Sequence, residues 1–305
     1  MQLLLFLLMT FTFLSCAGFI VLSAFTKMTG FSATQLATIA PGSPQALINA
    51  AVLVQGVENM FIFLLPALVF AYLAHPRPMA YLGLRAPGRK VQPLLAMLVM
   101  LGASPILMLI ENLIGLINFG PGVKAAQLAN EHIMSAFMTM PDAAAFFRVF
   151  IVMAIVPAIG EELFFRGVLM RFARQRSRTM LFPIVFTAAV FSYAHTNIYS
   201  YLSIFLAGVL LAVIYDLTGS LWCSIAGHFI FNGSQIVISY IGNSNPAVKA
   251  FMANDTVPYY IIIAGAAVFG ISFYLLLKNR TPLLPNWADD FTREELVFLK
   301  NDLKG

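Results

Sequence analysis

The chain has 305 residues, 60% of them hydrophobic and only 10% charged, with a mean hydropathy of +0.86. That balance excludes an ordinary soluble domain, and its repeated apolar runs of about 20 residues are those of an all-α, polytopic membrane protein. The net charge of +5 does not point to nucleic acid, because most of the basic residues gather in the loops of one side.

Eight apolar runs are read as spans, at roughly 3–25, 47–73, 92–117, 146–170, 181–198, 199–216, 219–241 and 257–277. The first lacks a basic flank, which predicts a membrane span and not a cleaved signal peptide; Leu14-Ser15-Cys16 lacks the flanking charge of a lipoprotein cleavage site. Cys16 and Cys223 both lie in apolar runs and are expected to form neither a disulfide nor a metal site by themselves. Segment 118–145 reads as an external loop, with Gly120-Pro121-Gly122 and Pro141 as breakers. Runs five to seven follow one another with almost no connecting loop, which predicts tilted or re-entrant helices. The polar tail, 278–305, has Pro282 and Pro285 and then a short helical pattern near Asp289–Leu303. The chain therefore divides into spans one to three with the external loop (1–145), a core of four spans (146–242), a last span (243–277) and a tail (278–305).

The basic residues predict orientation. Thirteen follow spans two, four and eight: Arg77, Arg85, Arg89 and Lys90; Arg171, Arg174, Arg176 and Arg178; Lys278, Arg280, Arg293, Lys300 and Lys304. The other side has only Lys27, Lys124 and Lys249. The excess places both termini in the cytoplasm, and an even number of spans agrees.

Within the spans, polar groups mark the chemistry. Glu161-Glu162-Leu163-Phe164-Phe165-Arg166-Gly167 puts two carboxylates and an arginine inside an apolar run, where ionisable groups are costly unless paired or hydrated. On a helix, Glu162 and Arg166 share a face and pair, while Glu161 points about 100° away. One arginine does not offset two carboxylates, so Glu161 is the candidate free for chemistry. Pro157 and Gly160 precede it, and a helix restarting after the proline would place Glu161 in its first turn, where the dipole favours a carboxylate. Span five ends in Phe191-Ser192-Tyr193-Ala194-His195. Span seven carries Ser224, His228, Asn232, Gln235 and Ser239 at helical spacing, a polar stripe that faces protein or water and not lipid. Gly227 and Cys223 on that helix allow a neighbour to approach closely. Glu58 with Asn59, and Glu111 with Asn112, are further intramembrane polar pairs to which the pattern assigns no role.

Glu161-Glu162-x-x-x-Arg166, Phe191-x-x-x-His195 and His228-x-x-x-Asn232, in that order on apolar spans, resemble the three motifs of the type II CAAX prenyl endopeptidase family, also called the Abi or CPBP intramembrane protease family. The resemblance covers roughly residues 146–242, and Leu82-Gly83-Leu84-Arg85 also looks like the family. It implies an intramembrane peptidase with a helical core of about eight spans. Glu161 and His195 would activate water, His228 and Asn232 would stabilise the oxyanion, and Glu162 and Arg166 would support them. Those roles suit amide hydrolysis, which needs a positioned base and donors aimed at the developing charge. Counted from the cytoplasmic span ends, Glu161 and His228 lie at one depth and His195 about five residues deeper.

The resemblance also raises zinc, with Glu161, His195 and His228 as two histidines and a carboxylate. Their wide spacing does not decide it, and a glutamate–histidine pair activates water unaided, so a metal-independent mechanism is the expectation and zinc the alternative. The expected partners are membrane lipid and a peptide or membrane-protein substrate, which the family name suggests is lipid-modified. A transporter using Glu58, Glu111, Glu161 and Glu162 as ion sites is the competing class, although no inverted repeat is present. A non-catalytic bacteriocin-immunity protein on the same scaffold is the third.

Overall fold

The computed structural model describes residues 2–195, 197–252, 256–284 and 286–289, and within these every regular element is helical. Nine principal helices follow: α1 (Gln2–Thr29), α2 (Gln45–Ala74), α3 (Gln92–Gly115), α4 (Pro121–Phe137), α5 (Ala143–Gln175), α6 (Leu181–Ala194), α7 (Tyr201–Thr218), α8 (Leu221–Ser244) and α9 (Tyr259–Lys278). Seven of them, all but α4 and α6, are long and apolar enough to cross a membrane. The chain is an integral, multi-pass membrane protein.

Three elements differ from the sequence reading. The fifth run is the helix α6, which at 14 residues extends about 21 Å, short of a hydrocarbon core of about 30 Å. Its connection to α7 therefore falls within the thickness of the membrane. The external loop contains the 17-residue helix α4. Pro121 occupies its first turn, where the missing N–H costs nothing, so the apparent breaker marks a helix start. Finally, α5 does not restart at Pro157. It runs unbroken for 33 residues from an N-cap at Asp142, whose side chain accepts from the Ala145 N–H at 2.7 Å. Glu161 thus lies well inside the helix and not in a first turn. The helical pattern near Asp289–Leu303 lies outside the described residues.

The proline is accommodated by a π-helical turn at Ile151–Ile155, and a second π-helical segment, Leu163–Leu169, follows the paired glutamates. In a regular α-helix the Met153 carbonyl would accept from residue 157, which as proline has no N–H. Asn232 of α8 donates its Nδ2 to that carbonyl at 3.3 Å.

Close approaches without side chains build the bundle. Gly102 of α3 and Gly265 of α9 face each other so tightly that a Cβ on either would lie within 3 Å of the opposite backbone. Gly227 of α8 does the same against α3, where a Cβ would meet Met100 Cγ at 3.0 Å and the Ala96 carbonyl at 3.3 Å. The Leu82-Gly83-Leu84-Arg85 segment packs against the core: Gly83 has φ +79°, a Cβ there would overlap the Tyr215 hydroxyl, and its carbonyl accepts from Leu221 N.

Candidate active site

α5 and α8 bring two carboxylates, an arginine and a histidine into one buried cluster. Glu162 and Arg166, one turn apart and both fully buried, pair at 2.7 Å. The second Arg166 terminal nitrogen donates to the Gly208 carbonyl of α7 at 2.8 Å, and its planar face lies 4.8 Å from the Phe191 ring. Such a fork, spread over carboxylate, carbonyl and ring, is a task for arginine and not lysine. Glu162 has two further partners on α8: Ser224 Oγ donates to one oxygen, and His228 Nδ1 lies 3.0 Å from the other. The carboxylate is saturated.

Glu161 is buried but half-engaged. Asn59 Nδ2 of α2 donates to its Oε1 at 3.1 Å. Its Oε2 is buried without a hydrogen-bond partner and faces His228 Nε2 at 3.9 Å, beyond hydrogen-bonding range. His228 thus stands between the two glutamates, one ring nitrogen on each side. With Nδ1 serving Glu162, Nε2 is the atom presented to Glu161 and the space beside it.

His195 closes α6 and is exposed. Its Nδ1 lies 2.8 Å from the Phe191 carbonyl, and its ring packs on Phe191 at 4.7 Å, with the His228 ring on the same phenylalanine at 5.9 Å. No hydrogen bond, ion pair or ring contact joins His195 to Glu161 or His228 among the described residues. Its depth nevertheless matches. Phe165, ten residues before the end of α5, and Phe191, ten after the start of α6, meet ring to ring at 5.1 Å. Glu161 and His195 each lie four residues further along the same two helices. The apparent mismatch in depth arose from counting to assumed span ends, whereas α5 overhangs its predicted boundary.

The connection that carries His195 is held by residues whose part was not legible in sequence. Glu111 of α3 accepts from Ser200 Oγ, Asn197 Nδ2 donates to the same hydroxyl at 2.8 Å, and Ser192 Oγ donates to the Tyr201 carbonyl at 2.6 Å. Irregular backbone at membrane depth needs such partners in place of water. Asn59 was equally invisible, since its partner lies 102 residues away. On α8, Ser224 and His228 face the cluster and Asn232 reaches α5, but Gln235 leaves the stripe, exposed and bonded back to the Phe231 carbonyl of its own helix.

Among the described residues no group of three or more His, Cys, Asp and Glu side chains is arranged to hold a metal.

Residues 143–234 match the family model described as Rce1-like, type II CAAX prenyl endopeptidase. Comparison with curated proteins and with solved structures returns no match. The matched segment contains Glu161, Glu162, Arg166, His195, His228 and Asn232, and over that segment the chain is similar to the type II CAAX prenyl endopeptidases.

Proposed function

We propose that this chain is a membrane-embedded endopeptidase that hydrolyses a peptide bond with water activated at Glu161. The observation that carries the proposal is the unequal state of two adjacent buried carboxylates, Glu162 saturated by Arg166, Ser224 and His228, and Glu161 left with one oxygen unpartnered beside His228 Nε2.

Glu161 Oε2 takes a proton from water as the oxygen attacks the scissile carbonyl, and His195, level with Glu161, shares the water. His228 is braced by Glu162 through Nδ1, as a carboxylate braces the histidine of a hydrolase triad. With His228 as imidazolium, two anions and two cations balance, and Nε2–H donates to the oxyanion. Asn232 spends one amide hydrogen on Met153 and offers the other as second donor. On collapse of the tetrahedral intermediate the proton held by Glu161 passes to the leaving amine, restoring the carboxylate. No step runs through a metal. The substrate is a peptide or membrane protein, lipid-modified as the family suggests, reaching the site from the cytoplasmic face.

Transport is the weaker reading, because two of the carboxylates it would use are engaged, Glu162 as above and Glu111 by Ser200. The test is cleavage of a prenylated CAAX-type peptide in proteoliposomes. Glu161→Ala is expected to lower the rate by at least about 100-fold, with thermal unfolding unchanged. Cleavage at the wild-type rate would sink the assignment.

A further inference from the structure

We infer that Asn59, on a helix outside the matched segment, is a positioning residue that aims the Glu161 carboxylate; its kinetic consequence rests on the peptidase reading. Three observations converge. The only hydrogen bond the described residues make to Glu161's side chain comes from Asn59 Nδ2, at 3.1 Å to Oε1. The other carboxylate oxygen has no hydrogen-bond partner, so this is the one hydrogen bond that orients the carboxylate and leaves Oε2 toward His228. And the approach of α2 to α5 is built around this point: a Cβ on Gly160, beside Glu161, would meet Leu64 Cβ at 3.3 Å and Asn59 Oδ1 at 3.5 Å, while one on Gly56, a turn earlier on α2, would meet Val152 Cγ2 at 3.0 Å.

The two helices run parallel, with Gly56 beside Val152 and Leu64 beside Gly160. Small residues on both let the backbones close until a short amide arm spans the gap. α2 also widens into a π-helical turn, Met60–Leu64, immediately after Asn59. Such turns re-aim the side chains at their edges and recur at functional sites. Asn59 Oδ1 is itself buried without a hydrogen-bond partner, so the amide makes its one bond to Glu161 at a cost in stability. A carboxylate with one oxygen tethered and the other open presents its lone pairs in one direction, the requirement for a general base.

The test uses the full-length protein in proteoliposomes, with Asn59→Leu, which keeps the branching and the number of side-chain heavy atoms, and Asn59→Ala, which does not. The readout independent of activity is the infrared carboxylate band assigned to Glu161 by its loss in Glu161→Gln. The expected result is a shift of that band in both variants, with kcat lowered about 10- to 100-fold and KM unchanged. An unmoved band overturns the inference, whatever the activity. A moved band with wild-type kcat overturns the positioning role. A moved band in a protein whose wild type cleaves nothing refutes the peptidase reading while upholding the tether.

Discussion

Glu162 serves three partners with two oxygens, and two of those partners carry or can carry positive charge. Removing it leaves a fully buried guanidinium and a buried imidazole without their hydrogen-bonded counter-charge, a loss of about 3–5 kcal/mol in comparable buried pairs. Glu162→Ala is therefore expected to lower the thermal midpoint in detergent and to abolish cleavage together, whereas Glu161→Ala affects cleavage alone. A Glu162→Ala protein as stable as wild type would show that Arg166 and His228 find other partners. The adjacent glutamates thus separate by what surrounds them: one is part of the scaffold and the other is poised. Asn232 donates to the Met153 carbonyl, which in a regular α-helix would face Pro157, and that bond fixes the direction of its remaining amide hydrogen.

At the scale of elements, the shortness of α6 has the largest consequence. A helix of 14 residues ends before the far membrane surface, and His195 sits where it ends. The polypeptide must then turn inside the membrane, and the Glu111–Ser200–Asn197 cluster supplies the polar partners for that turn. Glu111→Ala is expected to destabilise the protein by about 1–3 kcal/mol, the cost of a buried hydroxyl losing its acceptor. It should also speed hydrogen exchange at residues 197–201 and reduce cleavage. Exchange unchanged at those amides would remove Glu111 from any part in holding His195. The two π-helical segments of α5 bracket the glutamates and let a helix containing proline remain continuous through the site.

For the whole molecule, one end of the bundle gathers the basic loops. Arg171 donates to the Tyr81 and Asp289 carbonyls at 2.7 and 3.0 Å and stacks on Tyr81, Gln92 Nε2 reaches Asn279 O and Thr281 Oγ1, and Thr281 and Leu283 N–H groups bond the end of α7. Phe6 of α1 packs on Phe70 and Phe172, near the ends of α2 and α5, so the start of the chain lies toward the same end as residues 279–284 and 286–289. From the basic excess we propose that this end is cytoplasmic. A cysteine at exposed Asn286, with Cys16 and Cys223 replaced by alanine, should resist a membrane-impermeant thiol reagent on intact cells, while one at exposed Lys124 labels. Strong labelling at residue 286 would invert the topology and the side of substrate entry.

The sequence by itself determined that this chain crosses the membrane repeatedly, because hydropathy is a property of consecutive residues and needs no fold to express it. It also determined the Glu162–Arg166 pair, which lies one helical turn apart, and the motif order that marks the family. Only the tertiary structure decided that α6 stops short, that Asp142 extends α5 beyond its apolar core, and that a π-helical turn absorbs Pro157. It alone attached Asn59 to Glu161, Glu111 to Ser200 and Asn232 to Met153. These are hydrogen bonds between separate helices. Periodicity shows which face of a helix is polar but not which neighbour it meets, and that choice is made by the close packing of glycine-bearing faces across the bundle.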